Sequence, residues 1–142
     1  MKTLKRIAVF IAVALLAACS QKTATQRIAE NMAQMAVEQW LALVDAGEYG
    51  QSWDASAAIF QGAVTKQQWE DMLEGVRKPL GALESRKLKS ATHMTQMPGA
   101  PDGEYVVLQF ESSFANKKKA IETVTPMREQ DGSWKVSGYW IK

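Results

Sequence analysis

The apolar residues change their spacing once, at Gly81, and that switch decides the class of fold before any other feature is weighed. Up to Leu80 they recur at intervals of three and four, which is one face of a helix. Further along, they alternate with polar residues, which is the mark of a half-buried strand. Helices that precede strands, rather than interleave with them, give an α+β domain with the helices packed on one face of a curled antiparallel sheet. The spacing predicts three helices followed by about four strands.

From Ile28 the apolar residues fall at 28, 32, 35, 36, 40, 43 and 44, with Val37 and Leu41 widening the stripe. Thr23 and Gln26 have the spacing of a capping box, and Gly47 supplies a left-handed stop. Tyr49, Trp53 and Phe60 line a shorter second helix. Thr65-Lys66-Gln67-Gln68 is a second capping box, opening a third helix with Trp69, Met72, Leu73 and Val76 on one side. Pro79 and Gly81 end it.

The first strand lies in Leu83 to Met97, before the loop "MPGAPDGEY". Val106, Leu108, Phe110 and Phe114 then alternate with Val107, Gln109, Glu111 and Ser113. "NKKK" reads as a solvated turn, Ala120 to Glu129 as a third strand, and "QDGS" as a hairpin leading into a last strand, Trp134 to Ile141. Trp40, Trp53, Trp69, Trp134 and Trp140 are too many for a surface, so most belong between helices and sheet. The seven methionines read as packing.

The only cysteine stands in "VALLAACSQK", where an apolar run meets a polar chain. Lys2, Lys5 and Arg6 precede the run Ile7 to Ala18, which is shorter than the ~20 residues of a spanning helix and has the build of a signal peptide. Leu16-Ala17-Ala18-Cys19 resembles the lipobox of bacterial lipoproteins. That resemblance implies cleavage before Cys19, a diacylglycerol on its sulfur, and an acyl chain such as palmitate on the new amine. Ser20 then favours sorting to an outer membrane, facing the periplasm. A lone free thiol suits an oxidising compartment poorly, which supports the same reading. The chain divides into a signal (1–18), a lipidated N-terminus and short tether (19–26), and a single domain (27–142).

Removing residues 1 to 18 takes away three of the 17 basic residues and none of the 15 acidic ones, leaving a net charge of −1. No basic patch remains that would suit nucleic acid. His93, the only histidine, lacks the partners of a transition-metal site and reads as an exposed strand residue. Asp102 and Glu104 offer too few oxygens for calcium, and the Pro-Asp-Gly turn accounts for them. No serine-hydrolase, P-loop or dinucleotide motif occurs. No cofactor or metal is expected.

Four polar residues stand out: Arg77, Arg86, Glu122 and Tyr139. If the turn pairs Phe114 with Ala120, Phe110 faces Val124 and Ser112 faces Glu122. Glu122 then shares the apolar face of the sheet. A carboxylate there must be paired or neutral, and Arg77 or Arg86 could reach it. The set is either an internal ion pair fixing helix to sheet or the polar floor of a pocket.

"WLALVDAGEYGQSW", "VRKPLG", "MPGAPDGEYVVLQF", "ETVTPM" and "DGSWKVSGYWI" together resemble a family of small bacterial exported proteins classed as a domain of unknown function. The order of elements, with "LVDAGEYGQSWD", also resembles the NTF2-like, cystatin-like superfamily. That implies a bent sheet wrapped into a cone, whose interior serves catalysis, ligand binding or dimerisation in different relatives. The expectation is a lipid-anchored envelope protein that binds a small apolar ligand or an envelope protein. The alternatives are a small enzyme of steroid-isomerase type, with Tyr139 facing a carboxylate, and a homodimerising interaction protein.

Overall fold

Four helices and then four strands follow Gln21 in a computed structural model, which describes residues 21–142. Cys19 and the signal-like segment lie outside the described residues. The helices are α1 (Ala24–Asp45), α2 (Tyr49–Asp54), α3 (Ala58–Ala63) and α4 (Lys66–Leu80). The strands β1 (Leu83–Met94), β2 (Tyr105–Phe114), β3 (Lys117–Arg128) and β4 (Trp134–Ile141) pair antiparallel in sequence order. The sheet is curled and open, with β1 and β4 as its edges, and the helices cover one of its faces. No helix among the described residues is long and apolar enough to cross a membrane.

Both capping boxes form. Thr23 and Gln26 satisfy each other's backbone N–H groups at the start of α1, and Thr65 and Gln68 do the same for α4. Gly81 makes the turn into the sheet with φ +75, and a Cβ there would lie 3.0 Å from the Ala115 side chain, so only glycine fits. Pro79 does not stop α4 but sits inside its last turn.

The expected second helix is two. The chain unwinds at Ala55–Ala57 because the Ala57 N–H donates to Val136 O of β4 at 2.8 Å, a bond that a continuous helix would forbid. Four helices therefore replace the three expected. Trp40 and Trp69 are held by α2: Trp40 Nε1 donates to Ser52 O at 2.8 Å, and Trp69 Nε1 to Ser52 Oγ at 2.9 Å.

The buried face of α1 is not the stripe that begins at Ile28. The helix buries Glu30, Ala33, Val37, Trp40, Leu41 and Val44, while Ile28, Met32 and Met35 point outward and are 60%, 51% and 62% exposed. Apolar residues occupy two faces of this helix, and the one carrying Ala33 and Val37 lets the backbone approach the sheet closely. In α4 likewise, Trp69 and Leu73 are buried and Met72 and Val76 exposed. Four of the tryptophans pack inward as expected, but Trp140 lies on the outer face of β4 and is exposed.

The β2–β3 turn is only Ala115–Asn116, so Lys117 to Lys119 belong to β3 rather than to a turn. The register slides by two from the expected one: Ser112 pairs with Ala120, Phe110 with Glu122, and Leu108 with Val124. A slide of two keeps every side chain on its face, so Glu122 still shares the helix-facing side with Phe110. His93 is not exposed. It faces α1 from the edge strand, with its side chain 13% exposed and its backbone N–H donating to the Glu30 carboxylate at 3.1 Å.

Candidate functional site

Glu122 is fully buried in the middle of β3 and accepts four hydrogen bonds. Its Oε2 takes Arg86 Nε at 2.6 Å and Ser112 Oγ at 2.5 Å, and its Oε1 takes Tyr139 OH at 2.6 Å and Arg86 Nη2 at 3.0 Å. Two donors per oxygen is the full capacity of a carboxylate. The other side of Arg86 grips Asp45, with Nη1 at 2.6 Å from Oδ2 and Nη2 at 2.9 Å from Oδ1. Arg77 Nη2 completes the chain on Asp45 Oδ1 at 2.8 Å.

Asp45 ends α1, Arg77 lies in the last turn of α4, and Arg86, Ser112, Glu122 and Tyr139 come one from each strand. Two helices and the whole sheet are thus tied through one cluster of two cations and two anions. Of the residues expected, Arg86, Glu122 and Tyr139 meet directly. Arg77 joins them only through Asp45, a residue the sequence reading passed over. Its signal was its position: a carboxylate at a helix C-terminus opposes the helix dipole and calls for a cationic partner.

The electrostatics follow from this geometry. Burial alone would raise the Asp45 pKa, but Arg86 and Arg77 override it and hold the carboxyl below the usual range. Burial would also ease the proton off Arg86, yet hydrogen bonds and charge from Asp45 and Glu122 raise its pKa instead. Tyr139 is pushed well up, first by burial and then by the charge and hydrogen bond of Glu122. Its proton stays on the phenol and points at the carboxylate. Arg77 is 5% exposed, and its Nε and Nη1 have no hydrogen-bond partner. Its guanidinium lies over the Phe114 ring, 4.9 Å from the centroid, so the ring face is its remaining contact.

Tyr139 also joins an aromatic wall. Its ring meets Trp40 edge-on at 5.3 Å and Trp69 at 6.3 Å, and Phe60 meets Trp69 at 4.9 Å. Outside this wall, α3, α4 and β4 border an open groove of about 620 Å³, walled by Phe60, Ala63, Trp69, Met72 and Tyr139, with Gln68 and Asp71 as polar points. The outer face of the sheet holds a second concavity, about 510 Å³, beside Lys87, Lys119 and Lys142. Lys118 also lines it but is bound to Glu84 at 2.6 Å. No group of three metal-ligating side chains occurs among the described residues. His93 Nε2 has Glu104 Oε1 at 3.7 Å, and the pair belongs to no such group.

A family model described as a protein of unknown function (DUF4019) matches residues 36–139. The chain belongs to the DUF4019 family. The span matched to DUF4019 holds the whole cluster, from Asp45 to Tyr139, and the aromatic wall beside the groove. It leaves out the first turns of α1, with Ile28, Met32 and Met35. No curated protein matches the chain.

Proposed function

We propose that this DUF4019 protein is a lipid-anchored envelope protein, held through Cys19 to an outer membrane and facing the periplasm, that works as a binding module for an apolar ligand. The lipobox-like Leu16-Ala17-Ala18-Cys19 supports the anchor, and the curled sheet under its helices supports a cone of NTF2-like type. The observation that carries the binding role is the groove beside Tyr139. It is mostly aromatic and aliphatic with two polar points, the composition of a small-molecule site. Its floor is rigid because Tyr139 and Trp69 are fastened from behind by Glu122 and Ser52.

The buried cluster is a brace for that floor. An isomerase would need a free lone pair on Glu122 and a donor aimed at substrate, whereas Glu122 has spent all four acceptor positions on Arg86, Tyr139 and Ser112. Dimerisation through the sheet is also disfavoured, since its outer face mixes Val107, Ile121 and Trp140 with Lys87, Gln109 and Glu111.

Mass spectrometry of the native protein, isolated from its own membranes under non-denaturing conditions, tests the reading. The expected result is a substoichiometric apolar adduct that disappears when Met72→Glu places a charge in the groove. An adduct that survives Met72→Glu would place binding elsewhere, and no adduct in either protein would sink the proposal.

A further inference from the structure

The outward face of α1 has no use in the fold. Ile28, Met32 and Met35 lie at positions i, i+4 and i+7, on one line along the first three turns, and each is at least half exposed. Gln39, the next residue on that line, ends the stripe. It is not surface left over from a buried face, because α1 meets the sheet with Ala33, Val37, Trp40, Leu41 and Val44 on its other side. Two methionines and an isoleucine make a deformable apolar surface rather than a rigid knob.

The chain outside the structure says what covers it. Four residues separate Cys19 from Ala24, and the five steps between them reach roughly 17 Å when extended. Lys22 shortens the free part further, since its ammonium is bound to Glu30 at 2.8 Å and to Ala91 O at 2.6 Å. An acylated Cys19 therefore brings the first turn of α1 within a few residues of the bilayer, and the exposed stripe begins at Ile28, one turn further on. A second copy of the chain fits less well. Three such side chains make a patch far smaller than the ~800 Å² and ~20–30 residues per partner that a stable dimer buries.

We infer that the Ile28–Met32–Met35 face of α1 lies in the headgroup region of the membrane that holds the anchor, as a second, orienting contact. This rests on the lipid-anchor reading above. Interfacial helices bury an apolar face by ~5–10 Å, a depth that three outward side chains can supply. One acyl anchor leaves a domain free to swivel, and a second line of contact fixes its attitude. With α1 against the bilayer, the outer face of the sheet, with Lys87, Lys119 and Lys142, points away into the aqueous space.

The test uses the full-length protein produced with its own N-terminus and reconstituted in vesicles of phosphatidylethanolamine and phosphatidylglycerol. Met35→Cys and, separately, Lys119→Cys carry a bimane fluorophore, and a nitroxide lipid serves as the membrane quencher. Bimane at position 35 should be quenched at least about threefold more strongly than at position 119, as a face lying at headgroup depth requires. Equal quenching at the two positions overturns the inference, and so does a disulfide dimer formed by Met35→Cys left unlabelled on the same vesicles. Fatty-acid labelling of Cys19 is read on the same samples. Its absence overturns the anchor reading and, with it, the orienting contact, whereas equal quenching on labelled protein overturns the helix face alone.

Discussion

Arg86 meets Glu122 through two parallel hydrogen bonds, Nε to Oε2 at 2.6 Å and Nη2 to Oε1 at 3.0 Å, with the carboxylate fully buried. The paired geometry matches the guanidinium fork to the carboxylate edge, the strongest form that such a contact takes. Removing Glu122 leaves Arg86 with Asp45 alone and takes the acceptor from Arg86 Nε, Ser112 Oγ and Tyr139 OH, donors that water solvates poorly there. Glu122→Ala should destabilise the protein by roughly 3–5 kcal/mol in urea denaturation. Glu122→Gln keeps the shape and should cost less. If the alanine variant melts like the parent, the cluster does not hold the sheet to the helices.

Tyr139→Phe isolates one bond of the cluster. The ring and its contacts with Trp40 and Trp69 remain, but Glu122 Oε1 loses a donor at 2.6 Å. A loss of about 1–3 kcal/mol is expected, the usual range for a buried acceptor left short. Trp140→Ala, on the exposed outer face, should stay within about 0.5 kcal/mol of the parent. Equal losses in the two variants would mean that bulk, not the hydrogen bond, matters on β4.

Asp45 sets an acid limit. Its folded pKa lies below the ordinary 3.8 because Arg86 and Arg77 outweigh its burial. As pH falls between the two values the unfolded chain takes up the proton first, so stability drops with falling pH there. Above the unfolded pKa the contribution is fully present; below the folded one it is gone. Urea midpoints measured from neutral pH down through the acid range should fall steeply in the parent. In Asp45→Asn they should start lower and fall less. Parallel curves would remove Asp45 from the acid response.

The start of the domain offers a sharper test than its overall fold. A chain beginning at Gln26 should still fold cooperatively, because the periodic core lies further on. It lacks Thr23, however, which caps α1, and Lys22, which holds Glu30. It should therefore be about 1–2 kcal/mol less stable than one beginning at Gln21, as the loss of a helix cap implies. Unchanged stability would show that α1 is held by packing alone.

The placing of Glu122 was legible in the sequence because strand alternation is robust: a register slide of two residues leaves each side chain on its own face. The buried face of α1 was not, since apolar residues line two sides of that helix and periodicity cannot rank them. The spacing places Ile28, Met32 and Met35 inward, and in the structure they point outward. The break between α2 and α3 was equally hidden, because its cause is a hydrogen bond from Ala57 to Val136, some eighty residues away along the chain. Asp45 carried a local signal in its place at the end of a helix, opposite in sign to what the dipole favours. Both capping boxes were readable outright, since their chemistry is confined to four residues.

The most direct test of the binding role is titration of the full chain with N-phenyl-1-naphthylamine, an uncharged probe that fluoresces in apolar surroundings. The titration is repeated with Ala63→Trp, which fills the groove from the exposed end of α3. The expected result is saturable fluorescence in the parent, loss of saturation in Ala63→Trp, and matching thermal melts for the two proteins. Saturable binding of equal strength in both would contradict the account.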